Sequence, residues 1–318
     1  MILLNSKTTA FVFPGGGSQF VGMGQALAQA YPAARQAFTE ADEILGLKLS
    51  TLCWEGPEAD LNDSANFQPA LLVCSVAALR ALHVELGHFE PAYAAGHSLG
   101  EISALVAAGA LSFAEGVRLI RRRGEAMKMA GERNPGGMAA VMTSDVPLLE
   151  AVCAEASQLT GKIVQIANDN CPGQMVISGD HAALDKVFEL AKARGIRRTV
   201  RLPVSIASHS PLMQPAREVF GAAVDATPFA APKVPVIGNV QAAPLTTPAE
   251  ISAELKVQLV SPVRWTESVR YMLGQGITTF VELGAKDVLT GLLKRIEPQA
   301  TGAAVGTPEA IALLNGPA

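Results

Sequence analysis

The stretch "AAGHSLGEISALVAAGAL", residues 94–111, decides how the chain is read. Ser98 stands between Gly96-His97 and Leu99-Gly100, and Gly-x-Ser-x-Gly suits a sharp strand-to-helix turn whose flanks leave no room for side chains. Such a turn pushes a serine hydroxyl out at the tip of a sheet, beside the free amides of the new helix. The same spacing also fits a plain glycine-rich turn with Ser98 as a helix cap.

Working outward, "PAYAAGHS" reads as a strand entering the turn and "QPALLVCSVAALRALH" as an apolar helix before it. "FAEGVRLIRRRGEAMKMA" reads as a helix after it. "TTAFVFPGGGSQ" reads as a buried strand ending in a glycine loop, followed by one helix through "VGMGQALAQAYPAARQAF". Strands alternating with helices predict an α/β core with a mostly parallel sheet. From residue 131 the order becomes strand-helix-strand-strand-helix-strand. It runs through "GGMAAVM", "SDVPLLEAVCAEASQL" with Ser144 as cap, "KIVQIAND", "GQMVISG", "DHAALDKVFELAKARG" and "RRTVRL". That order predicts a ferredoxin-like subdomain at 131–202, inserted into a large domain formed by 1–130 and 203–318. The chain returns through "PVSIASHS", a strand "VPVIGN", a helix at "SPVRWTESVRYMLGQG" and a strand "TTFVEL". The Ala/Gly-rich tail from 301 carries no site signal.

The 318 residues are 49% hydrophobic and 17% charged, a globular composition with room for a full core, and the net charge of −4 argues against nucleic acid as a partner. Basic residues gather at Arg121-Arg122-Arg123 and across Lys192, Arg194, Arg197 and Arg198, either facing phosphates or an acidic protein, or simply solvated. Cys53, Cys74, Cys153 and Cys171 lack metal-ligand spacing, so reduced thiols in a cytoplasmic protein without a metal are expected. The N-terminus does not read as a signal peptide. The most apolar segments carry Arg80, His97 and Glu101, so no membrane span is expected.

A serine needs a base to act as a nucleophile at neutral pH. Of the five histidines, His83, His88 and His181 lie at helix ends or in a loop, and His97 points away from Ser98 around the turn. His209 follows a strand and precedes a helix with Ser210 as cap and Pro211 in the first turn. A helix N-terminus disfavours imidazolium, so His209 is either an incidental loop residue or the best base available. Arg123 has Leu119, Ile120, Ala126 and Met127 as its helical neighbours, all apolar, so its guanidinium must find an anion. That anion is either a carboxylate elsewhere in the chain or a substrate carboxylate. The loop Gly15-Gly16-Gly17 fits neither nucleotide-binding spacing, but its amides are able to stabilise an oxyanion.

With these residues assembled, the chain resembles the malonyl-CoA:acyl carrier protein transacylase family over nearly its whole length. The motifs come in family order: "FVFPGGGSQFVGMG", "GHSLGEISALVAAGAL", Arg123-Gly124, "NDNCPGQMVISG", "PVSIASHSPLM", "NV" at 239, "QLVSPVRWTESV" and "ELGAKDVLTGLLKRI". The resemblance implies an α/β-hydrolase-like large domain with a ferredoxin-like insert. It implies Ser98 as acyl nucleophile, His209 as base and Arg123 as partner of the malonyl carboxylate. Gln258 is implied to hold His209 through its main-chain carbonyl, Asn239 to lie near that histidine, and Leu99 and Gly16 to give oxyanion amides. The family usually has glutamine where Gly16 stands; a glycine amide still serves, but the side chain's bracing of the loop is lost. "SIAS" resembles the free-standing fatty-acid enzyme more than the modular polyketide acyltransferases.

The expected function is therefore ping-pong transfer of malonyl from malonyl-CoA to the phosphopantetheine thiol of an acyl carrier protein, for fatty-acid or polyketide synthesis. It needs no cofactor, and a monomer is expected. The rival readings are a trans-acting polyketide acyltransferase with another acyl preference, a hydrolase or thioesterase using the same Ser98 and His209, and a non-enzymatic docking subunit. Arg123 counts against a hydrolase, and the intact Ser98 and His209 count against a docking subunit.

Overall fold

The structure is a computed structural model describing residues 1–315; the last three residues of the expected segment 203–318 lie outside the described residues. The expected α/β architecture is present. A six-stranded sheet runs in the order Thr301–Val305, Thr279–Leu283, Thr9–Phe13, Tyr93–Gly96, Val236–Ile237, Pro244–Leu245, parallel except for its last strand. The strand Thr9–Phe13 is buried at every position, as a central strand covered on both faces must be. Thr301–Val305 shows that the tail contributes an edge strand.

The helix Ser64–Leu86 lies across this core. It is long and apolar enough to cross a membrane by length and composition alone, but 72% of its apolar window is buried inside the fold, which makes it a core helix. Asp63 caps it by accepting from the Ala65 amide at 2.9 Å. Pro69 inside the helix lacks the N–H that would reach the Ala65 carbonyl, and Arg121 Nη1 donates to that carbonyl instead at 2.9 Å. Arg121 belongs to the helix Phe113–Arg133. The two helices cross closely at Gly124, where a Cβ would lie 2.3 Å from the Ser64 carbonyl oxygen. This crossing sets the height of Arg123.

A second, five-stranded sheet has the order Val263–Arg264, Val164–Cys171, Gln174–Gly179, Gly137–Val141, Thr199–Arg201. Four of these strands, with helices Val146–Thr160 and His181–Ala193, arise between residues 131 and 202 in the expected order and pair antiparallel. The fifth comes from outside that range and pairs in parallel through Asn168 and Asp169.

Local corrections have plain causes. The helix expected through 21–38 is two, Gln25–Ala30 and Pro32–Leu45, because Pro32 drives Tyr31 into an extended conformation (φ −122°, ψ 116°). The cap of Val146–Thr160 is Asp145, not Ser144, with its carboxylate on the Leu148 amide at 2.9 Å. The helix at 261–276 begins only at Trp265, after the short strand. Ser210 does not cap with its side chain, which donates to the Ala207 carbonyl at 2.7 Å; a 3₁₀ turn Pro211–Met213 precedes the helix Gln214–Asp225.

The elbow tolerates no side chain at Gly96, where a Cβ would lie 1.9 Å from the backbone of Gly100. Gly96→Ala should therefore destabilise by at least the upper end of the roughly 1–3 kcal/mol typical of overpacking, since backbone has no rotamer to yield. Gly221→Ala, mid-helix with its nearest neighbour at 3.9 Å, should instead stabilise by about 0.5–1 kcal/mol through helix propensity. Urea unfolding of both variants checks the contrast; equal shifts would mean that the elbow is not sterically closed.

Candidate active site

The strand Tyr93–Gly96 delivers Ser98 into a left-handed backbone conformation, φ 54°, and the helix Gly100–Ala107 follows at once. A non-glycine residue held there costs of order 1–3 kcal/mol, so the surroundings must fix it. They do so from two sides. Asn239 Oδ1 accepts from the Ser98 amide at 2.7 Å, while its Nδ2 donates to the Gly96 carbonyl at 2.7 Å. Gln258 Nε2 donates to the Ser98 carbonyl at 3.1 Å. Asn239 was expected beside the histidine; its hydrogen bonds go to the elbow, because the elbow's backbone groups are the ones left unpaired by the turn. Two buried carboxylates hold the Asn239 loop in turn. Glu101 accepts from the Asn239 amide at 2.9 Å and Glu254 from the Val240 amide at 2.6 Å. Burial and the neighbouring Glu254 push the Glu101 carboxyl well above the usual carboxylate range.

His209 is also left-handed, φ 59°, and buried. Its Nε2 lies 2.8 Å from Ser98 Oγ. Its Nδ1 faces the main-chain carbonyls of Gln258 at 2.9 Å and Ser261 at 3.2 Å. Two carbonyls accept and never donate, so Nδ1 carries the proton and Nε2 keeps a free lone pair toward the serine. Burial first, and then the charge of Arg123, push its pKa down to about 3, so the ring is neutral at physiological pH. Gln165 Nε2 donates to the His209 carbonyl at 2.8 Å. Neither Ser261 nor Gln165 was singled out in the sequence, and neither sits in a pattern that would have marked it.

Arg123 is 1% exposed. Its Nη1 donates to Gln68 Oε1 at 2.7 Å, and its Nη2 to Gln258 Oε1 at 2.8 Å and to Ser98 Oγ at 3.0 Å, while its Nε has no partner among the described residues. Burial pulls the guanidinium down to about 10, which leaves it a cation at neutral pH. Of the two anions considered for it, no carboxylate of the chain forms an ion pair with it among the described residues.

His97 turns away from the serine, with Nε2 2.8 Å from Asn170 Oδ1 and its ring edge-on to Trp265. The glycine loop abuts the elbow, since a Cβ at Gly15 would lie 2.5 Å from the His97 carbonyl oxygen. The amides of Gly16 and Leu99 donate to no group among the described residues. Bracing of this loop comes from elsewhere: Gln19 accepts from the Gly17 amide at 2.8 Å and donates to Asn62 at 2.8 Å, and Lys286 donates to the Gly17 carbonyl at 3.0 Å. All four cysteines are free and buried, and no cluster of metal-ligating side chains occurs among the described residues.

A neutral histidine on a serine hydroxyl, free amides beside it and an unneutralised arginine make a site suited to acyl chemistry on an anionic substrate. Comparisons with known proteins agree. The family model for the acyl transferase domain matches residues 10–307. The malonyl CoA-acyl carrier protein transacylase of Bacillus subtilis strain 168 is 46% identical over 304 residues, spanning 96% of this chain and 95% of that protein. The crystal structure of malonyl-CoA:acyl carrier protein transacylase from Xanthomonas oryzae pv. oryzae superposes with a TM-score of 0.93 at 43% identity, covering 97% of this chain and 98% of that one. A malonyl-transacylase solved in complex with its holo type II PKS acyl carrier protein superposes with a TM-score of 0.92 at 40% identity, covering 96% and 98%. The chain belongs to the malonyl-CoA:acyl carrier protein transacylase family.

Proposed function

We propose that this chain transfers malonyl from malonyl-CoA to the phosphopantetheine thiol of an acyl carrier protein, for fatty-acid or polyketide assembly. The observation that carries the reading is the line Arg123–Ser98–His209, in which a cation with no ion pair among the described residues meets a serine already bonded to a neutral base at 2.8 Å. His209 Nε2 takes the hydroxyl proton as Ser98 Oγ attacks the thioester carbonyl. The amides of Leu99 and Gly16 receive the oxyanion, a contact whose loss typically costs about 10²–10³ in rate. The C–S bond then breaks, and the imidazolium gives its proton to the departing CoA sulfur. In the second half, His209 takes the proton of the carrier thiol, sulfur attacks the malonyl ester, and Ser98 Oγ leaves with that proton.

The malonyl carboxylate pairs with Arg123, which withdraws Nη2 from Ser98 Oγ and offsets the positive field that depresses His209. Substrate charge thus strengthens the base as it binds. Asn239 and Gln258 act on the elbow and the histidine respectively. We further propose that 1–130 with 203–318 forms one lobe and 131–202 the other. The chain works as a monomer in the cytoplasm, where its four buried thiols stay reduced, and the scheme calls on no cofactor.

Incubation with malonyl-CoA should give a malonyl adduct in the intact mass, discharged only when holo carrier protein is added; Ser98→Ala should give none. Discharge to water at the same rate would make the chain a hydrolase. Arg123→Ala should depress malonyl transfer by about tenfold or more and lower the malonyl-over-acetyl ratio of kcat/KM, since a charge-assisted contact is worth roughly 1.5–3 kcal/mol. An unchanged ratio would leave Arg123 a structural residue. The kcat/KM of acylation, which reports the substrate-free chain, should stay level from about pH 8 to about pH 5, because a base held near 3 remains unprotonated across that range. A fall centred near the ordinary histidine value would move the base away from His209.

A further inference from the structure

We propose that Gln68 is a specificity-determining residue: with Gln258 it forms an uncharged clamp that fixes Arg123 through two amide oxygens and leaves its positive charge for the substrate carboxylate. The inference rests on the malonyl-transfer reading above and adds a residue to it.

A buried guanidinium in a folded protein ordinarily finds a carboxylate, because an unpaired buried charge is costly. Even the exposed or half-buried arginines of its helix have carboxylate partners. Arg118 pairs with Glu115 at 2.7 Å, Arg121 with Glu125 at 2.7 Å, and Arg122 with Glu125 at 3.5 Å. Arg123 alone of these four has no carboxylate partner among the described residues; two amide oxygens meet it instead, Gln68 Oε1 at 2.7 Å and Gln258 Oε1 at 2.8 Å. Glu101, buried nearby, gives one oxygen to the Asn239 amide and keeps the other without a partner, so it does not reach the guanidinium. Burial and Glu254 push its carboxyl up while the charge of Arg123 pulls it back, so Glu101 acts on the guanidinium only from a distance, without a hydrogen bond or ion pair to it.

The orientation of Gln68 is dictated rather than arbitrary. Its Nε2 donates to Ser64 Oγ at 2.9 Å and to Met127 Sδ at 3.4 Å, so the oxygen faces Arg123. The flipped amide would set NH₂ against guanidinium. Gln258 is fixed in the same sense, because its Nε2 serves the Ser98 carbonyl. Gln68 is fully buried and sits immediately before Pro69, in the turn pinned by Arg121 and the close crossing at Gly124, so the clamp is rigid. A glutamate at 68 would have the same length and the same place for its oxygen. It would differ in one respect: it would neutralise Arg123 from within the protein. Amide oxygens thus hold the guanidinium in position while withholding a charge.

The test compares native chain, Gln68→Glu and Gln68→Leu by kcat/KM for malonyl-CoA and acetyl-CoA, with thermal unfolding run alongside. The native chain must first prefer malonyl; its failure to do so overturns the malonyl reading itself, before any Gln68 variant is made. Gln68→Glu should lower the malonyl-over-acetyl ratio by about tenfold or more while acetyl transfer persists or rises. Gln68→Leu, which removes the acceptor without adding charge, should keep the ratio within about threefold of native. An unchanged ratio in Gln68→Glu, or a fall in Gln68→Leu as large as in Gln68→Glu, overturns the proposal. Should Gln68→Glu lack a cooperative unfolding transition, Gln258→Glu, which sets the same charge against the other arm of Arg123, replaces it: a malonyl-over-acetyl ratio lowered by about tenfold or more supports the uncharged clamp, and an unchanged ratio overturns it.

Discussion

The backbone of Ser98 is held where a serine does not rest by itself, and the site is organised around keeping it there. A left-handed serine is stable only if its neighbours over-determine it. Asn239 takes its amide and Gln258 its carbonyl, so the residues bracing Ser98 come from positions 141 and 160 residues further along the chain. Glu101 and Glu254 hold the Asn239 loop, and Gly96 and Gly100 clear the space beneath. Removing any of these supports would relax the turn and withdraw the hydroxyl from His209.

The second organising feature is the arrangement of charge in a dry volume. His209 is buried beside Arg123, and both effects favour the neutral ring. Its two carbonyl partners then select the tautomer. An imidazole so placed is always available but weakly basic, and a nearby anion is what raises its proton affinity. On the proposed reading Arg123 is both the seat for such an anion and, after burial, the second reason the ring is weakly basic.

Much of this was legible in the sequence, and the rest was hidden for identifiable reasons. Gly-His-Ser-Leu-Gly announces its turn because sterics leave few alternatives. Arg123 stands out because helical spacing surrounds it with apolar residues. The alternation of strands and helices, and its change of rhythm at 131, mark the two sheets. Ser261 and Gln165 act through a main-chain carbonyl and a long-range amide, and no local pattern records either. Asn239 was associated with the histidine, but hydrogen-bond demand at the elbow claimed it. The bond from Arg121 to the Ala65 carbonyl became visible only once Pro69 was seen to leave that carbonyl unserved. The break at Tyr31 is written in Pro32, against the apolar spacing that runs through both helices.

The strand Val263–Arg264 begins two residues after Ser261, whose carbonyl faces the ring of His209, and it is zipped to Val164–Cys171 in the smaller sheet. Gln165 of that same strand reaches the His209 carbonyl. His209 is thus moored to the smaller sheet, while Ser98 stands at the tip of a strand of the larger one. A hinge that swung one sheet from the other would carry His209 away from Ser98 and spoil the 2.8 Å approach. The relation between the two sheets is consequently part of the Ser98–His209 geometry. A long flexible thioester arm brings its own freedom to such a pair, and the alignment comes from a frame that is built stiff.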